Sequence, residues 1–177
     1  MLADHDEVWF RNLYAETYQP LLAYARRRVD AATADEVVAD TFLTAWRRRD
    51  DVPDSSERLW LFGVARNMIR NAARSSRRRE AAHDRLRLVR PAEVDDPAAP
   101  DTGERSTLIT TALAALSEAD REVLMLVAWE ELSHAEIGQV LGISANASAI
   151  RVHRARKRLA ARLDRLDHAG IDEGKAQ

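Results

Sequence analysis

The stretch "VRPAEVDDPAAPDTGE", Val89 to Glu104, holds three of the chain's five prolines and five acidic residues. Its apolar residues follow no helical or strand period, and its prolines cannot donate backbone hydrogen bonds. A segment of this kind reads as a flexible acidic linker. It divides 177 residues into two lengths, each suited to one small compact domain.

On both sides of that divide the apolar residues recur at three- and four-residue steps, the period of an amphipathic helix. Val8, Trp9, Leu13, Tyr14 and Tyr18 form one stripe, and Leu21, Leu22, Ala25 and Val29 continue it beyond Pro20, which is expected to break or kink the segment. A second helix is predicted from Thr33 to Arg48, with Val37, Val38, Phe42, Ala45 and Trp46 on its apolar side. A third follows "DSSE", where Asp54 and Glu57 have the spacing of a capping box. Leu59, Trp60, Phe62, Val64, Ala65, Met68 and Ile69 supply its buried face.

Helices resume at Arg105 with Leu108, Ile109, Ala112, Leu113 and Leu116 on one face. Ser117 in "SEAD" and Ser133 in "SHAE" each have capping-box form, and "VLMLVAW" is apolar on all sides, as expected of a helix at a domain's centre. Strand and hairpin signals are nearly absent. The expected fold is all-α: helical domains over 1–80 and 105–166, a linker over 81–104 and a polar tail over 167–177.

The formal net charge of −2 conceals segregation. Residues 66–90 carry nine basic and two acidic side chains, and residues 132–162 carry six and one. The intervening 91–131 carry two and ten. Two cationic blocks separated by acidic sequence point to two anion-binding surfaces. No cysteine, no signal peptide and no run approaching the roughly 20 apolar residues of a membrane span are present, so a cytoplasmic location is expected, with no membrane role.

The second cationic block has the layout of a helix-turn-helix. A capped short helix, "HAEIGQVL", leads through Gly142, Ile143 and Ser144 into a longer one. Gly142 suits the left-handed backbone of a tight turn, and Ser144 suits an N-cap. Ala135, Ile137 and Leu141 are expected to face inward, as are Val152, Ala155, Leu159 and Leu163 on the second helix. Asn146, Ala149, His153, Arg156 and Lys157 then fall on the outer side, flanked by Arg151, Arg154 and Arg158, within reach of a DNA groove and its phosphates. In the first block, Arg66, Asn67, Arg70, Asn71, Arg74, Arg77 and Arg78 recur along one helix face opposite Leu61, Val64, Met68 and Ala72. Such a stripe suits a duplex backbone, and Asn67 offers a donor and an acceptor to a base.

The ordered set "ADEVVADTFLTAWRR", "RLWLFGVARNMIRNAARSSRRR" and "LSEADREVLMLVAWEELSHAEIGQVLGISANASAIRVHRARKRL" resembles the extracytoplasmic-function sigma factors, the small two-domain members of the bacterial sigma-70 family. The resemblance covers nearly all of 8–78 and 106–163. It implies that the first domain docks on core RNA polymerase and reads the promoter −10 element, while the second reads the −35 element. Docking would use the helix carrying Asp35, Glu36, Asp40, Phe42 and Trp46, with the acidic side chains outward towards a basic partner helix. The loop "RDDVPDSS", Arg49 to Ser56, would hold an extruded base during melting. An anti-sigma factor that masks these faces is a further partner the resemblance implies. The chain departs from the family pattern at Asn71, Ser148 and Ala149; Ser148 in place of a branched or apolar residue should loosen packing.

Two rival classes compete with this reading. An enzyme would need a ligand or acid–base constellation, but the five histidines are scattered and the glycines form no phosphate-cradling loop, so no catalytic residue, metal, cofactor or small-molecule substrate is expected. A dimeric helix-turn-helix regulator would keep the C-terminal motif, but it gives no reason for the basic stripe at 66–79 or the acidic helix.

Overall fold

A computed structural model describes residues 2–84 and 104–174, with side chains described over 6–75 and 108–166. Among them are seven α-helices and no strand, as the periodicity predicts. The chain divides between Asp96 and Pro97 into two compact units.

In the first unit, α1 (Leu2–Arg26), α2 (Ala31–Arg47) and α3 (Glu57–Asp84) pack as three helices around one core. Leu13, Leu21, Tyr24 and Ala25 of α1 meet Val37, Val38, Phe42 and Ala45 of α2 and Leu61, Phe62 and Ala65 of α3, all buried. Tyr24 and Phe62 stack with ring centroids 4.8 Å apart. Burial of each large apolar side chain contributes about 1.5–3 kcal/mol.

Pro20 does not end α1, so the expected break is absent. The buried face continues across it, with Leu13 and Thr17 before and Leu21, Leu22, Tyr24 and Ala25 after. That burial offsets the roughly 3 kcal/mol a mid-helix proline costs. Val8 and Tyr14, assigned to the apolar stripe, are 47% and 43% exposed and so lie outside the core.

α2 starts two residues before the expected Thr33, because Asp30 caps it. The Asp30 carboxylate accepts from the Thr33 backbone N–H at 3.0 Å and from Thr33 Oγ1 at 2.7 Å. These bonds hold the carboxyl below its usual pKa, the backbone bond contributing most. α3, by contrast, starts at Glu57, so Asp54 lies outside its first turn and the expected capping box does not form. Asp54 sits instead in a turn closed by Ser56 N–H donating to the Pro53 carbonyl at 3.1 Å. α3 also runs past residue 80 to Asp84, and the rest of the expected linker, up to 103, lies outside the described residues.

The second unit holds α4 (Glu104–Ala114), α5 (Glu118–Ala128), α6 (His134–Leu141) and α7 (Ala145–Gly174). The helix thus continues through most of the stretch assigned to a polar tail. Val123, Leu124, Met125 and Leu126 are buried, but Trp129 at the C-cap is 47% exposed, so central burial ends a turn before the apolar run does. The chain then reverses around Glu131, whose φ of 54° is left-handed, and Leu132 N–H donates to the Leu126 carbonyl at 3.1 Å.

The first turn of α5 binds its neighbours. Ser117 Oγ accepts from Asp120 N–H at 3.1 Å, half of the expected capping box. The other half is diverted: the Asp120 carboxylate accepts from Arg158 on α7. Arg121 reaches the other way, donating to the carbonyls of Leu113, Ala114 and Leu116 at 3.1, 2.9 and 3.3 Å. A cation there satisfies acceptors that the end of α4 leaves open.

Candidate nucleic-acid and partner interfaces

The helix-turn-helix of the second unit is built from local chemistry. Ser133 and Glu136 form a complete capping box: the Glu136 carboxylate accepts from Ser133 N–H at 2.8 Å, and Ser133 Oγ accepts from Glu136 N–H at 3.3 Å. Gly142 ends α6 with φ 67°, and Ser144 Oγ accepts from Ala147 N–H at 3.2 Å to start α7. Ile137 and Val140 are buried, as is Gly138 against the turn. Ala135, expected inward, is exposed in the first turn of α6.

Burial of Val152 and Ala155, with Leu159 and Leu163 half-buried, fixes the inner side of α7 as expected. Asn146, Arg151, His153, Arg154, Arg156, Lys157 and Arg158 are exposed, and Ala149 is half-buried. The single acid between Leu132 and Arg162, Glu136, is drawn into its own helix cap, which leaves the cations dominant on this face. Arg158 differs from the rest: its Nη1 lies 2.7 and 2.9 Å from the Asp120 carboxylate oxygens.

On α3, Asn67, Asn71 and Arg74 are exposed while Arg66 and Arg70 are half-buried. For Arg70, half-burial suits a long stem that runs along apolar surface with the charge at the edge, whereas the Nε of Arg66 is buried without a hydrogen-bond partner among the described residues. The side chains of Arg77 and Arg78 lie outside the described ones. Opposite this stripe Leu61 is buried, and Thr41 Oγ1 approaches Met68 Sδ at 3.6 Å, so Met68 faces α2.

α2 presents Asp35, Glu36 and Asp40 to solvent, with Phe42 buried and Trp46 half-buried beneath. Asp35 meets Arg26 Nη2 at 3.5 Å, a long and exposed pair. Beside this face runs a groove of about 890 Å³ whose second wall is Phe10, Tyr14 and Tyr18 of α1. Tyr14 and Tyr18 stack at 5.0 Å, and Phe10 meets Trp46 edge-on at 5.3 Å. The aromatic wall is not apparent from α2 alone; its signal is the four-residue spacing of Phe10, Tyr14 and Tyr18.

In the loop after α2, Arg49 Nε lies 2.9 Å from Asp6 Oδ2, and Arg48 Nε lies 2.9 Å from Asp51 Oδ2. Both guanidiniums therefore have internal carboxylate partners. Val52 is buried and anchors the loop.

Two family models cover most of the residues that build these surfaces: Sigma-70 region 2 matches residues 13–79 and Sigma-70, region 4 matches residues 106–159. The chain belongs to the extracytoplasmic-function sigma factors of the sigma-70 family. It is 36% identical to the ECF RNA polymerase sigma factor SigL of Mycobacterium tuberculosis, over 88% of this chain and 89% of that one. It is 34% identical to the RNA polymerase sigma factor CnrH of Cupriavidus metallidurans, covering 81% of each. Among solved structures, CnrH in complex with the cytosolic domain of CnrY matches with a TM-score of 0.61 and 30% identity, over 89% of each chain. The sigma factor RpoE in complex with the anti-sigma factor NepR from Bartonella quintana shares the fold, with a TM-score of 0.65 at 24% identity over 88% of this chain and 96% of that one. The region 2 match spans α2 and the whole α3 stripe, and the region 4 match spans the helix-turn-helix as far as residue 159. Among the described residues, no helix is long and apolar enough to cross a membrane.

Proposed function

We propose that this sigma factor binds core RNA polymerase, directs it to promoters through −10 and −35 contacts, and assists opening of the −10 region, in the cytoplasm and without an active site of its own. The observation that carries this reading is the division of labour across surfaces. One unit exposes a cationic stripe on α3 and, on a different helix, an acidic face beside an aromatic groove. The other exposes a cationic helix in a helix-turn-helix.

Arg66, Asn67, Arg70, Asn71 and Arg74, continued by Arg77 and Arg78, serve the −10 element; the asparagines offer base-edge hydrogen bonds and the arginines hold phosphates. Asn146 and Ala149 near the start of α7 meet −35 base edges, with Arg151, His153, Arg154, Arg156 and Lys157 on or beside the backbone. Asp35, Glu36 and Asp40 receive a basic polymerase helix, whose apolar side chains settle over Phe42 and Trp46. The internally paired Arg48 and Arg49 hold the loop before α3 in shape, so any extruded base meets a preformed surface rather than a free cation. An anti-sigma factor would act by covering these same faces, the type of partner that the solved RpoE of Bartonella quintana binds.

Run-off transcription with purified core polymerase on a promoter library tests the proposal. The chain should redirect core enzyme to a defined subset of promoters. A chain that binds DNA but never redirects polymerase overturns it.

A further inference from the structure

Arg158 stands apart from the cations around it. Its Nη1 donates to both oxygens of Asp120, a residue 38 positions earlier on α5, and the Asp120 side chain is only 14% exposed. Among the described residues, Arg151, Arg154, Arg156 and Lys157 have no such partner. Asp120 is the third residue of α5, where the helix dipole favours a carboxylate. Its own N–H is held by Ser117, and the adjacent Arg121 grips the end of α4. The carboxylate is thus a fixed point in a first turn that is itself tied down on two sides.

We propose that Arg158 is a positioning residue for DNA recognition rather than a phosphate ligand, and that Asp120, far from the DNA-facing surface in sequence, sets the pose of α7. This rests on the reading of α7 as the −35 reader. The inner stripe of α7, with Ser148, Val152 and Ala155 buried and Leu159 half-buried, fixes which side of the helix faces inward, while its small side chains constrain the tilt of the helix less. A two-oxygen ion pair to a neighbouring helix supplies that missing direction. Arg158 lies twelve residues beyond Asn146, about 18 Å along the helix at 1.5 Å per residue. A tilt of about 5° at Arg158 displaces the base-reading end by about 1.5 Å, more than the roughly 0.5 Å that a recognition constellation tolerates. The Asp120 end is sheltered while the Arg158 side chain is 57% exposed, so the pair is only partly screened and can bias the orientation of α7.

The test uses holoenzyme reconstituted from core polymerase and the full chain, binding a promoter duplex selected by transcription, over a series of salt concentrations. Removing one phosphate-neutralising cation reduces the salt slope by about 0.9. Arg154→Gln should lower the slope by that amount. Arg158→Gln should weaken binding about fivefold while leaving the slope unchanged. The exchange Asp120→Arg with Arg158→Asp should restore affinity to near wild type, although it places an anion where a phosphate ligand would need a cation. The proposal is overturned if Arg158→Gln lowers the slope as Arg154→Gln does, or if the exchanged pair binds no better than the single variant. Failure of the wild-type chain to assemble with core enzyme or to bind the duplex defeats the functional reading itself, and the role of Arg158 with it.

Discussion

Gly138 and Ile143 are in backbone contact across the turn of the helix-turn-helix. The Gly138 carbonyl accepts from Ile143 N–H at 2.9 Å, and a Cβ at Gly138 would lie 2.6 Å from the Ile143 carbonyl oxygen. The intruded atom is backbone, fixed by the left-handed Gly142 before it, so it has little freedom to yield. Gly138→Ala should therefore lower unfolding stability by about 1–3 kcal/mol, the usual cost of overpacking. Thermal unfolding followed by circular dichroism checks this; an unchanged midpoint would mean that the turn relaxes freely.

Ser148 is fully buried, and its Oγ has no hydrogen-bond partner among the described residues. Removing an unsatisfied buried hydroxyl should be favourable, so Ser148→Ala is expected to raise stability by about 1 kcal/mol. Denaturant unfolding would show a higher midpoint with the same slope. A loss of stability would mean that the hydroxyl is satisfied in solution, for instance by water.

Glu131 holds a left-handed φ of 54° without being glycine or asparagine. That conformation costs a residue with a Cβ about 1–2 kcal/mol, against which glycine loses about 0.5–1 kcal/mol more entropy on folding. Glu131→Gly should stabilise the second unit by up to about 1 kcal/mol, read as a higher melting temperature. Destabilisation would reveal a compensating role for the Glu131 side chain.

Asp35 and Asp40 are exposed on α2, on a different helix from the cationic stripe of α3. Reversing both, Asp35→Lys with Asp40→Lys, should weaken association with core polymerase about tenfold or more by like-charge contact with a basic partner. The melting temperature should hold, because neither side chain is buried. Fluorescence anisotropy of labelled chain titrated with core enzyme measures the first quantity. Wild-type affinity in the reversed variant would remove the acidic face from the interface.

Much of this architecture is legible in the residues because it is local. The Ser133–Glu136 box, the left-handed Gly142 and the Ser144 cap each follow from short-range chemistry. So does the inner stripe Val152, Ala155, Leu159 and Leu163, whose period alone fixes its side. Features that the sequence does not reveal depend on residues distant in the chain. The diversion of Asp120 from its cap to Arg158 requires knowing that α7 passes beside α5. The second wall of the aromatic groove requires knowing that α1 lies against α2. Pro20 misleads because helix propensity is a weak prior against a buried face that continues on either side. Asp54 misleads because a cap and a preceding turn use the same residue types.

Pro20 has no N–H to give to the carbonyl of Glu16, so α1 is continuous in course but lacks one rung of its hydrogen-bond ladder. Thr17 Oγ1 donates back to the Leu13 carbonyl in the same turn, a bond that itself tends to bend helices. Downstream, Leu21, Tyr24 and Ala25 are clamped in the core; upstream, Phe10 and Tyr14 line the groove. Leu13 and Thr17 anchor that upstream half to the same core, and the groove floor is itself core, Val38 and Phe42, so the missing rung lies between two clamped stretches. A partner must therefore match the groove's width, because widening it would pull on the hydrophobic interior.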